Sequence, residues 1–486
     1  MDKMATESIM ASSGFASAFG ELRQLREGDI PAQEVYVNGA DPFYPTPFYV
    51  GESAAAALAM VGVAANDLWE LRTGRRQKIG LQVEHAAATL RTVDYTRKLD
   101  TDGQYRALPP TPSMAQMLQV TQPWLTQDNR WFLPHLNLPG LSRRVLDVLQ
   151  CENTVEGVSA AVRRWEGEAL EQAIADAQAC GGLIRSESEW LSHPQGQFLA
   201  ARPVVEITKV RDGAPMPLPS GDRPLSGLRV LDLTRILAGP ITGRTLAEHG
   251  ADVLMVTAPH LPQTPEHVRD TSHGKRSCFL NLDDADQAAI FRGLAQTGDV
   301  FIDGYRPGAL ERKGFGADQL FDENPGLVHL SISCFGNGGP FQNRAGWEQV
   351  AQSVTGVCHR YGQALGQDRP KLVFAPMCDY LTGYLGALGV MLALARRARE
   401  GGSYRVHVSL CQSAMFVLRR GHLPDFQNVP NQLDEASLAA LTVESDTASY
   451  GRLRTLGPVL KMSETMPHWS RPTPAFGADT ARWLAT

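Results

Sequence analysis

An apolar stretch from Lys371 to Leu410 constrains the fold more than any other part of the chain. Its hydrophobic residues recur at helical spacing with almost no charge before Arg396, which predicts a mostly buried helix. The alternating residues from Tyr404 to Leu410 predict a strand directly after it. One carboxylate, Asp379, falls where the chain enters the helix. A helix start offers free N–H groups and a positive dipole end, so Asp379 is either an N-cap or an ionised, oriented carboxylate.

Length and charge bound the class of protein. With 486 residues, 43% of them hydrophobic, the chain is expected to form two or three lobes. A net charge of −6 without a lysine-arginine block argues against nucleic acid as the main partner, but it leaves room for a local basic pocket. Asp2, Lys3 and Glu7 interrupt the N-terminus, so no signal peptide is expected, and no later uncharged run reaches membrane-spanning length. We therefore expect a cytoplasmic protein without a membrane partner.

The seven cysteines are scattered without CxxC spacing, which indicates reduced thiols rather than disulfides or a zinc site. No HExxH motif or His/Cys/Asp cluster occurs, so no metal and no permanently bound cofactor are expected. Cys378 lies beside Asp379 and is an alternative nucleophile. The thiol is the weaker hypothesis, because no histidine lies near it in sequence and free cysteines usually serve packing.

A weaker copy of the central stretch lies near the N-terminus. Residues Gly51 to Gly74 form an alanine-rich helical pattern, and Gln77 to Val83 form an alternating strand pattern. An offset of 327 residues aligns this pair with the central stretch and places Glu52 on Asp379 (379 − 52 = 327). The chain is therefore predicted to contain an internal duplication with a carboxylate at the same place in both copies.

After the proline-rich linker Ala214 to Pro224, short apolar strands alternate with helices. The predicted strands are Leu228–Leu233, Val253–Val256, Val300–Ile302 and Leu327–Ile332, and the predicted helices are Gly239–His249, Asp284–Thr297 and Gly308–Lys313. Such alternation indicates crossover connections and a parallel sheet covered by helices, which is an α/β fold. Ligands of such sheets bind at the carboxyl ends of the strands.

The loops of this sheet exclude several chemistries. They contain no GxGxxG after the first strand, no GxxxxGK[ST] and no GxSxG, so a classical dinucleotide site, a P-loop and a serine hydrolase elbow are unsupported. They do contain basic side chains, at Arg235, Lys275, Arg276, Arg306, Arg312 and Arg344. Several cations at strand ends in an acidic protein favour a pocket for a phosphorylated ligand. A carboxylate beside such a pocket can act as a general base or as a nucleophile toward an activated carbonyl.

Several motifs resemble, in order and spacing, the family III CoA-transferases, which include α-methylacyl-CoA racemases. They are LSGLRVLDLTRILAGPITGRTLAEHGADV (225–253), SHGKRSCFLNLDD (272–284), DVFIDGYRPGALERKGF (299–315), NPGLVHLSISCFGNGGP (324–340), GWEQVAQSVTG (346–356) and CDYLTG (378–383). The resemblance implies a Rossmann-like CoA-binding domain, a smaller mixed lobe and interlocked dimers. It also implies that CoA moves from an acyl-CoA to a carboxylic acid through a covalent aspartyl intermediate.

The resemblance implies roles for individual residues. Asp379 falls on the catalytic aspartate, and Glu348 falls where transferases carry an active-site glutamate. The implied CoA contacts are Arg235, Ile236, Ala238, Leu280, Leu282, Arg306 and Arg312. The glycine loop, with Gly336, Gly338 and Gly339, is expected to lie over the thioester. Acyl-CoA itself is the substrate, and no other cofactor is implied.

The chain departs from the family pattern at several positions. A basic residue usually follows the second strand, where this chain has Met255 to Pro259, and Leu237 replaces a glutamine of formyl-CoA transferases. Racemases carry a His-Asp pair where this chain has Trp347 and Glu348, so a racemase would lack its second base. An acyl-CoA racemase or isomerase, and a non-catalytic CoA-binding subunit, remain the alternatives.

A trimmed duplication also predicts the domain organisation. The N-terminal segment is expected to carry the degenerate copy, and the small lobe with its return strand is expected to cover the CoA site of the second unit. The predicted divisions are an N-terminal segment (1–108), a small lobe and return strand (109–212), a linker (213–224), a CoA-binding catalytic domain (225–424) and a shortened connector with a C-terminal return segment (425–486). Glu52 would then be a relic without its own CoA domain.

Overall fold

The structure is a computed structural model that describes residues 12–485. The expectation about a signal peptide at Asp2, Lys3 and Glu7 lies outside the described residues. Within the described range the α-helices are, in chain order, α1 Ser13–Arg23, α2 Val50–Thr73, α3 Val83–Ala88, α4 Pro112–Val120, α5 Pro139–Leu149, α6 Val155–Val162, α7 Gly167–Asp176, α8 Glu187–Ser192, α9 Pro194–Ala200, α10 Ala238–Glu248, α11 Pro265–Thr271, α12 Ala285–Gln296, α13 Ala317–Glu323, α14 Glu348–Thr355, α15 Val357–Ala364, α16 Met377–Glu400, α17 Leu410–Leu418 and α18 Glu435–Leu441.

Short strands separate these helices. They are β1 Val35–Asn38, β2 Ile79–Gln82, β3 Arg97–Leu99, β4 Tyr105–Ala107, β5 Trp124–Leu125, β6 Trp131–Pro134, β7 Gly181–Leu183, β8 Glu206–Arg211, β9 Arg229–Leu233, β10 Asp252–Thr257, β11 Arg276–Phe279, β12 Val300–Asp303, β13 Val328–Ser333, β14 Ser403–Ser409, β15 Thr442–Thr447, β16 Gly451–Leu456 and β17 Lys461–Met462. All the parallel strands predicted after the linker are present, with ends shifted by at most one residue.

The main sheet has seven strands in the order β11-β10-β9-β12-β13-β14-β8. Neighbouring strands from β11 to β14 run parallel, and β8 joins β14 as an antiparallel edge strand. The α/β prediction is therefore confirmed. From β9 the chain builds outward first through β10 and β11, and then on the other side through β12 to β14. The loops after β9 and β12 thus leave the sheet at its topological switch point, where ligands of parallel sheets bind.

Two long helices form the centre of the molecule. Helices α2 and α16 contain 24 residues each and pack against each other. Their bounds differ by 327 at both ends (377 − 50 and 400 − 73), and α17 begins 327 residues after α3 (410 − 83). Both are long and apolar enough to cross a membrane, but 89% and 100% of their most apolar windows are buried. They are core helices of this fold.

The remaining sheets join distant parts of the chain. In the small lobe, β5, β6 and β7 form a sheet, and residues such as Phe132, Val145 and Leu170 form a separate core. The connector strands β15 and β16 pair with β3 and β4 of the N-terminal segment, and β17 pairs with β2. The N-terminal segment and the C-terminal return segment therefore form their sheets jointly.

Two elements differ from the sequence predictions. The predicted helix from Gly308 to Lys313 is only a 3-10 turn, Glu311–Lys313, because Gly308 and Gly314 both have φ near +78° and interrupt helical geometry. The parallel edge strand β11 was not predicted. Its four residues begin with a charged side chain and show no long apolar run.

Close packing of α10 against α16 should be sensitive to one glycine. A Cβ on Gly383 of α16 would lie 2.5 Å from the side chain of Ile241 and 2.8 Å from the carbonyl oxygen of Ala238. We expect Gly383→Val to lower the free energy of unfolding by about 2 kcal/mol and to reduce activity, because α10 must move. Gly293→Val in α12 is the control, since a Cβ there meets nothing within 4 Å. Equal thermal denaturation midpoints for both variants would contradict this packing.

Candidate active site

Glu348 caps the helix that carries Asp379. The first turn of α16 contains Asp379, and the helix N-cap is Pro376, which offers no side-chain hydrogen bond. Glu348, the first residue of α14, accepts the backbone N–H of Asp379 at 2.7 Å and that of Cys378 at 3.2 Å. The capping role considered for Asp379 is therefore filled by Glu348. The carboxylate of Asp379 is left available for other contacts.

Gln352 fixes Glu348 in this position. Its side-chain amide donates to Glu348 at 2.7 Å, and its amide oxygen accepts the N–H of Val373 at 2.8 Å. Gln352 lies one helical turn after Glu348 on α14, so both side chains share a helix face. The segment that leads into α16 and the capping carboxylate are thereby held by one side chain.

A second helix start contacts Asp379. The backbone N–H of Ala238, the first residue of α10, lies near the carboxylate of Asp379 and lowers its pKa. The connection from β9 to α10 includes Ile236 at φ +78°, a left-handed conformation that is costly for a β-branched residue. The buried Lys275 holds this connection by donating to Asp232 at 2.8 Å and to the Pro240 carbonyl at 2.7 Å.

The two carboxyl groups influence each other's charge. Burial raises the pKa of Asp379 well above its usual range, the nearby Glu348 raises it further, and the Ala238 N–H lowers it. Burial also raises the pKa of Glu348, while its hydrogen bonds from Gln352 and the α16 backbone lower it. These surroundings oppose the expected ionisation of Asp379. Glu348 takes the N–H groups, and Asp379, which keeps 7% of its surface exposed, is largely desolvated.

Two buried thiols lie beside this pair. Burial and the neighbouring Glu348 raise the pKa of the Cys378 thiol well above its usual range. Burial likewise raises the pKa of Cys334. A thiol must lose its proton to act as a nucleophile, so these surroundings disfavour Cys378 in that role.

The glycine loop is held by helix α9 of the small lobe. Gln195 donates to the carbonyls of Phe335 at 2.6 Å and Gly338 at 2.9 Å, and it accepts the N–H of Phe341 at 2.7 Å. A Cβ on any of the three predicted glycines would lie within 2.7 Å of an α9 side chain: Leu199 for Gly336, Phe198 for Gly338 and Gln195 for Gly339. The close approach of α9 therefore accounts for these glycines, and a position over the thioester stays a prediction.

The six predicted basic side chains divide into two groups. Lys275, Arg276 and Arg344 form ion pairs with Asp232, Asp252 and Glu171 respectively, so they do not form the expected common pocket. Among residues 12–485, no carboxylate lies within 4.0 Å of the cationic groups of the other three, Arg235, Arg306 and Arg312. Arg235 lies over the ring of Tyr305 at 5.6 Å and donates to the Pro262 carbonyl.

Leu280 and Leu282 pack against the core of the main sheet. Leu280 is 5% exposed and Leu282 is partly buried. Their predicted contact with adenine stays a prediction. Sequence reasoning missed Gln195 and Gln352, because no motif distinguishes a glutamine that bonds a segment distant in the chain.

The N-terminal copy repeats the arrangement around Asp379. Glu52, in the first turn of α2, accepts the N–H of Phe15 at the start of α1 at 2.7 Å. Its own N–H donates to Asp41 at 2.8 Å, as that of Asp379 donates to Glu348. Glu52 differs in one respect, because it also accepts the N–H of Asp41 at 3.1 Å and is 1% exposed. Its oxygens are thus occupied by backbone donors.

Comparison with known proteins relates part of the chain to a family. Residues 225–436 match the model of the family described as CoA-transferase family III. An acetyl-coenzyme A transferase, nodX, from Hypoxylon pulicicidum is 29% identical over 417 residues, which are 78% of this chain and 70% of that protein. An acyl-CoA transferase from Gibberella moniliformis is 27% identical over 502 residues, 90% of this chain and 88% of that protein.

Two further similarities each cover less than half of the chain. The succinyl-CoA–L-malate CoA-transferase beta subunit of Chloroflexus aurantiacus is 35% identical over 202 residues, 39% of this chain and 50% of that protein. The solved structure of a CAIB/BAIF family protein from Brucella suis is 29% identical, with a TM-score of 0.37, over 44% of this chain and 61% of that one. Residues 225–436 are therefore similar to the family III CoA-transferases, and most of the chain is similar to curated CoA-transferase enzymes.

The pH dependence of activity should report the charge on Glu348. Since Asp379 must be ionised to attack, its raised pKa predicts that kcat/KM falls on acidification at a higher pH than for an ordinary carboxyl group. Glu348→Gln removes the neighbouring negative charge, so the acid limb should move to lower pH, although the rate itself falls. The exposed Glu444→Gln serves as the control. An unmoved acid limb in Glu348→Gln would show that the two groups do not interact.

Proposed function

We propose that this enzyme moves CoA from an acyl-CoA thioester to a carboxylic acid, with Asp379 as the covalent nucleophile. The observation that carries the proposal is the separation of roles at the start of α16. Glu348 takes the N–H groups of Cys378 and Asp379, and the carboxylate of Asp379 lies near the N–H of Ala238, which lowers its pKa. A carboxylate bound in this way keeps an oxygen lone pair for attack on an activated carbonyl.

The exchange divides into balanced steps. An oxygen of ionised Asp379 attacks the thioester carbonyl, and CoA leaves as the thiolate, which forms a mixed anhydride. The thiolate attacks the aspartyl carbonyl of the anhydride, so that an aspartyl-CoA thioester forms and the donor acid leaves as its carboxylate. The acceptor carboxylate then attacks the aspartyl thioester, which forms a second anhydride and releases CoA thiolate. Attack of that thiolate on the acceptor carbonyl yields the product and frees Asp379.

In this proposal the neighbouring residues bind and position. Glu348 positions Asp379 by accepting its backbone N–H. The negative charge of Glu348 opposes the ionisation of the aspartate. Arg235, Ile236, Ala238, Arg306 and Arg312 belong to the loops after β9 and β12, where the sheet predicts a ligand. Leu280 and Leu282 would contact the adenine. CoA takes part as a substrate and is not a resident cofactor.

Two alternatives remain distinguishable from transfer. A racemase exchanges the α-proton of its acyl group and needs two bases. Trp347 occupies the expected second position, and its indole cannot accept a proton there. The neighbouring His135 stacks on Trp347 at 4.8 Å, its Nε2 lies 2.9 Å from the Gln349 amide oxygen, and burial lowers its pKa to about 4. A non-catalytic CoA-binding subunit would bind acyl-CoA without forming an adduct.

We further propose that the chain is a trimmed duplication with a single active site. The equal helices α2 and α16, with the repeated contacts of Glu52 and Asp379, support the divisions predicted from the sequence. A pseudo-dimer within one chain would take the place of two subunits, and a homodimer would place two such chains together. The seven free thiols fit a reducing, cytoplasmic location.

Covalent labelling tests the nucleophile. We expect incubation with acetyl-CoA or succinyl-CoA to give an adduct that hydroxylamine traps at Asp379, detected by intact-mass analysis and peptide mapping. Asp379→Asn should abolish the adduct and lower turnover by several orders of magnitude, because the amide is a poor nucleophile. Exchange of solvent deuterium into the acyl group without an adduct would favour a racemase instead.

Labelling also tests the duplication. Because both oxygens of Glu52 accept backbone N–H groups, Glu52→Gln should keep the Asp379 adduct at one per chain. It should lower the free energy of unfolding by about 2 kcal/mol, since the amide donor of glutamine meets another donor in this buried place. An adduct on Glu52, or loss of the Asp379 adduct in folded Glu52→Gln, would contradict a single active site.

A further inference from the structure

Two guanidinium groups converge on one backbone oxygen between the small lobe and the main sheet. Arg306, three residues after the end of β12, donates from both terminal nitrogens to the carbonyl of Gln178 at 3.1 Å each. Arg144, on α5 of the small lobe, donates from Nε to the same oxygen, also at 3.1 Å. The two cations therefore share a single neutral acceptor.

Neither cation has an acidic partner. Within residues 12–485, no carboxylate lies within 4.0 Å of the guanidinium nitrogens of Arg144 or Arg306. Burial lowers the pKa of Arg306, and the nearby Arg144 lowers it further, which is the effect of like charges held together. Most other arginines in comparable half-buried positions form ion pairs, such as Arg344 with Glu171 and Arg76 with Glu34. An unpaired cation pair of this kind favours the binding of an anion.

The position of the pair connects it with the active site. Arg306 belongs to the loop after β12, and Ala238, whose N–H lies near Asp379, begins α10 directly after the connection from β9. These adjacent parallel strands form the switch point of the sheet, so both loops border the same crevice. A ligand that binds at this edge of the sheet is therefore expected to lie near both loops.

The chain also lacks a cation at a neighbouring place. The segment after β10 continues from Thr257 through Ala258 to Pro259 and contains no basic side chain. A phosphorylated ligand in this crevice needs positive charge from elsewhere, and an arginine fork matches phosphate oxygens in geometry and charge.

We propose that Arg144 of the small lobe and Arg306 of the main sheet together bind a phosphate group of CoA. This inference rests on the proposed function and extends it, because it assigns part of the CoA site to the N-terminal half of the chain. The Gln178 carbonyl keeps both guanidinium groups oriented, and phosphate oxygens occupy their remaining donors when CoA binds. The small lobe and the main sheet are thereby held together by the ligand.

Calorimetric titration with CoA tests this assignment without turnover. It is carried out on the full chain carrying Asp379→Asn, so that no covalent step contributes. We expect an added Arg144→Gln to raise Kd for CoA roughly tenfold, the loss of one charge-assisted hydrogen bond. Arg144→Lys should bind CoA more tightly than Arg144→Gln, because lysine keeps the positive charge but lacks the paired N–H donors of the guanidinium group. The adjacent Arg143→Gln is the matched control, since Arg143 is exposed.

The source of the phosphate is distinguished with 3′-dephospho-CoA. If the pair binds the 3′-phosphate, this ligand should bind equally to the proteins with and without Arg144→Gln. If the pair binds the pyrophosphate, the tenfold difference should persist. Either result supports the assignment, and the salt dependence of Kd should weaken in Arg144→Gln in both cases.

One outcome overturns the inference and leaves the proposed function intact. If Arg144→Gln and Arg143→Gln bind CoA equally well, with unchanged denaturation midpoints, Arg144 does not bind phosphate. The adduct at Asp379, measured in the protein with only Arg144→Gln, then still decides the transferase mechanism. If the protein without substitutions bound CoA but formed no adduct at Asp379, that result would contradict only the covalent mechanism.

Discussion

The active site depends on which group takes the N–H donors at the start of α16. A carboxylate placed in the first turn of a helix ordinarily bonds these donors itself and is then occupied. Here Glu348 approaches from α14 and accepts two of them, and Gln352 fixes it through a further hydrogen bond. Asp379 is thereby oriented by its backbone while its side chain faces α10. The arrangement costs charge repulsion between two buried carboxyl groups, which raises the pKa of Asp379.

In the N-terminal copy, the carboxylate in the first turn of the helix accepts backbone N–H groups itself. Glu52 has one more methylene than Asp379, and its oxygens reach the N–H groups of Phe15 and Asp41. The N-terminal segment has only a short parallel pair, β1 and β2, which β17 joins as an antiparallel strand. A carboxylate without a ligand crevice serves to hold α1 on α2.

Sequence patterns predicted much of this architecture, but they did not predict which charged residues pair with each other. The alternation of apolar strands with helices after residue 224 identified the parallel sheet, because a buried strand needs apolar side chains on both faces. The offset of 327 residues recovered the bounds of α2 and α16, and the family motifs selected Asp379 and Glu348. The same patterns grouped Lys275 and Arg276 with Arg306. The chain gives no sign that Asp232 and Asp252 neutralise the first two, since those carboxylates lie 43 and 24 residues away.

The sequence by itself determined the α/β class, the duplicated helix and the carboxylate at its start, because these follow from local periodicity and from short motifs. Only the tertiary structure decided which carboxylate caps α16, which cations stay unpaired and which lobe contacts the glycine loop. Those outcomes depend on hydrogen bonds and charges between residues that are distant in the chain. The chemistry of Gln195, Gln352 and Arg144 therefore becomes visible only when folding brings them to their partners.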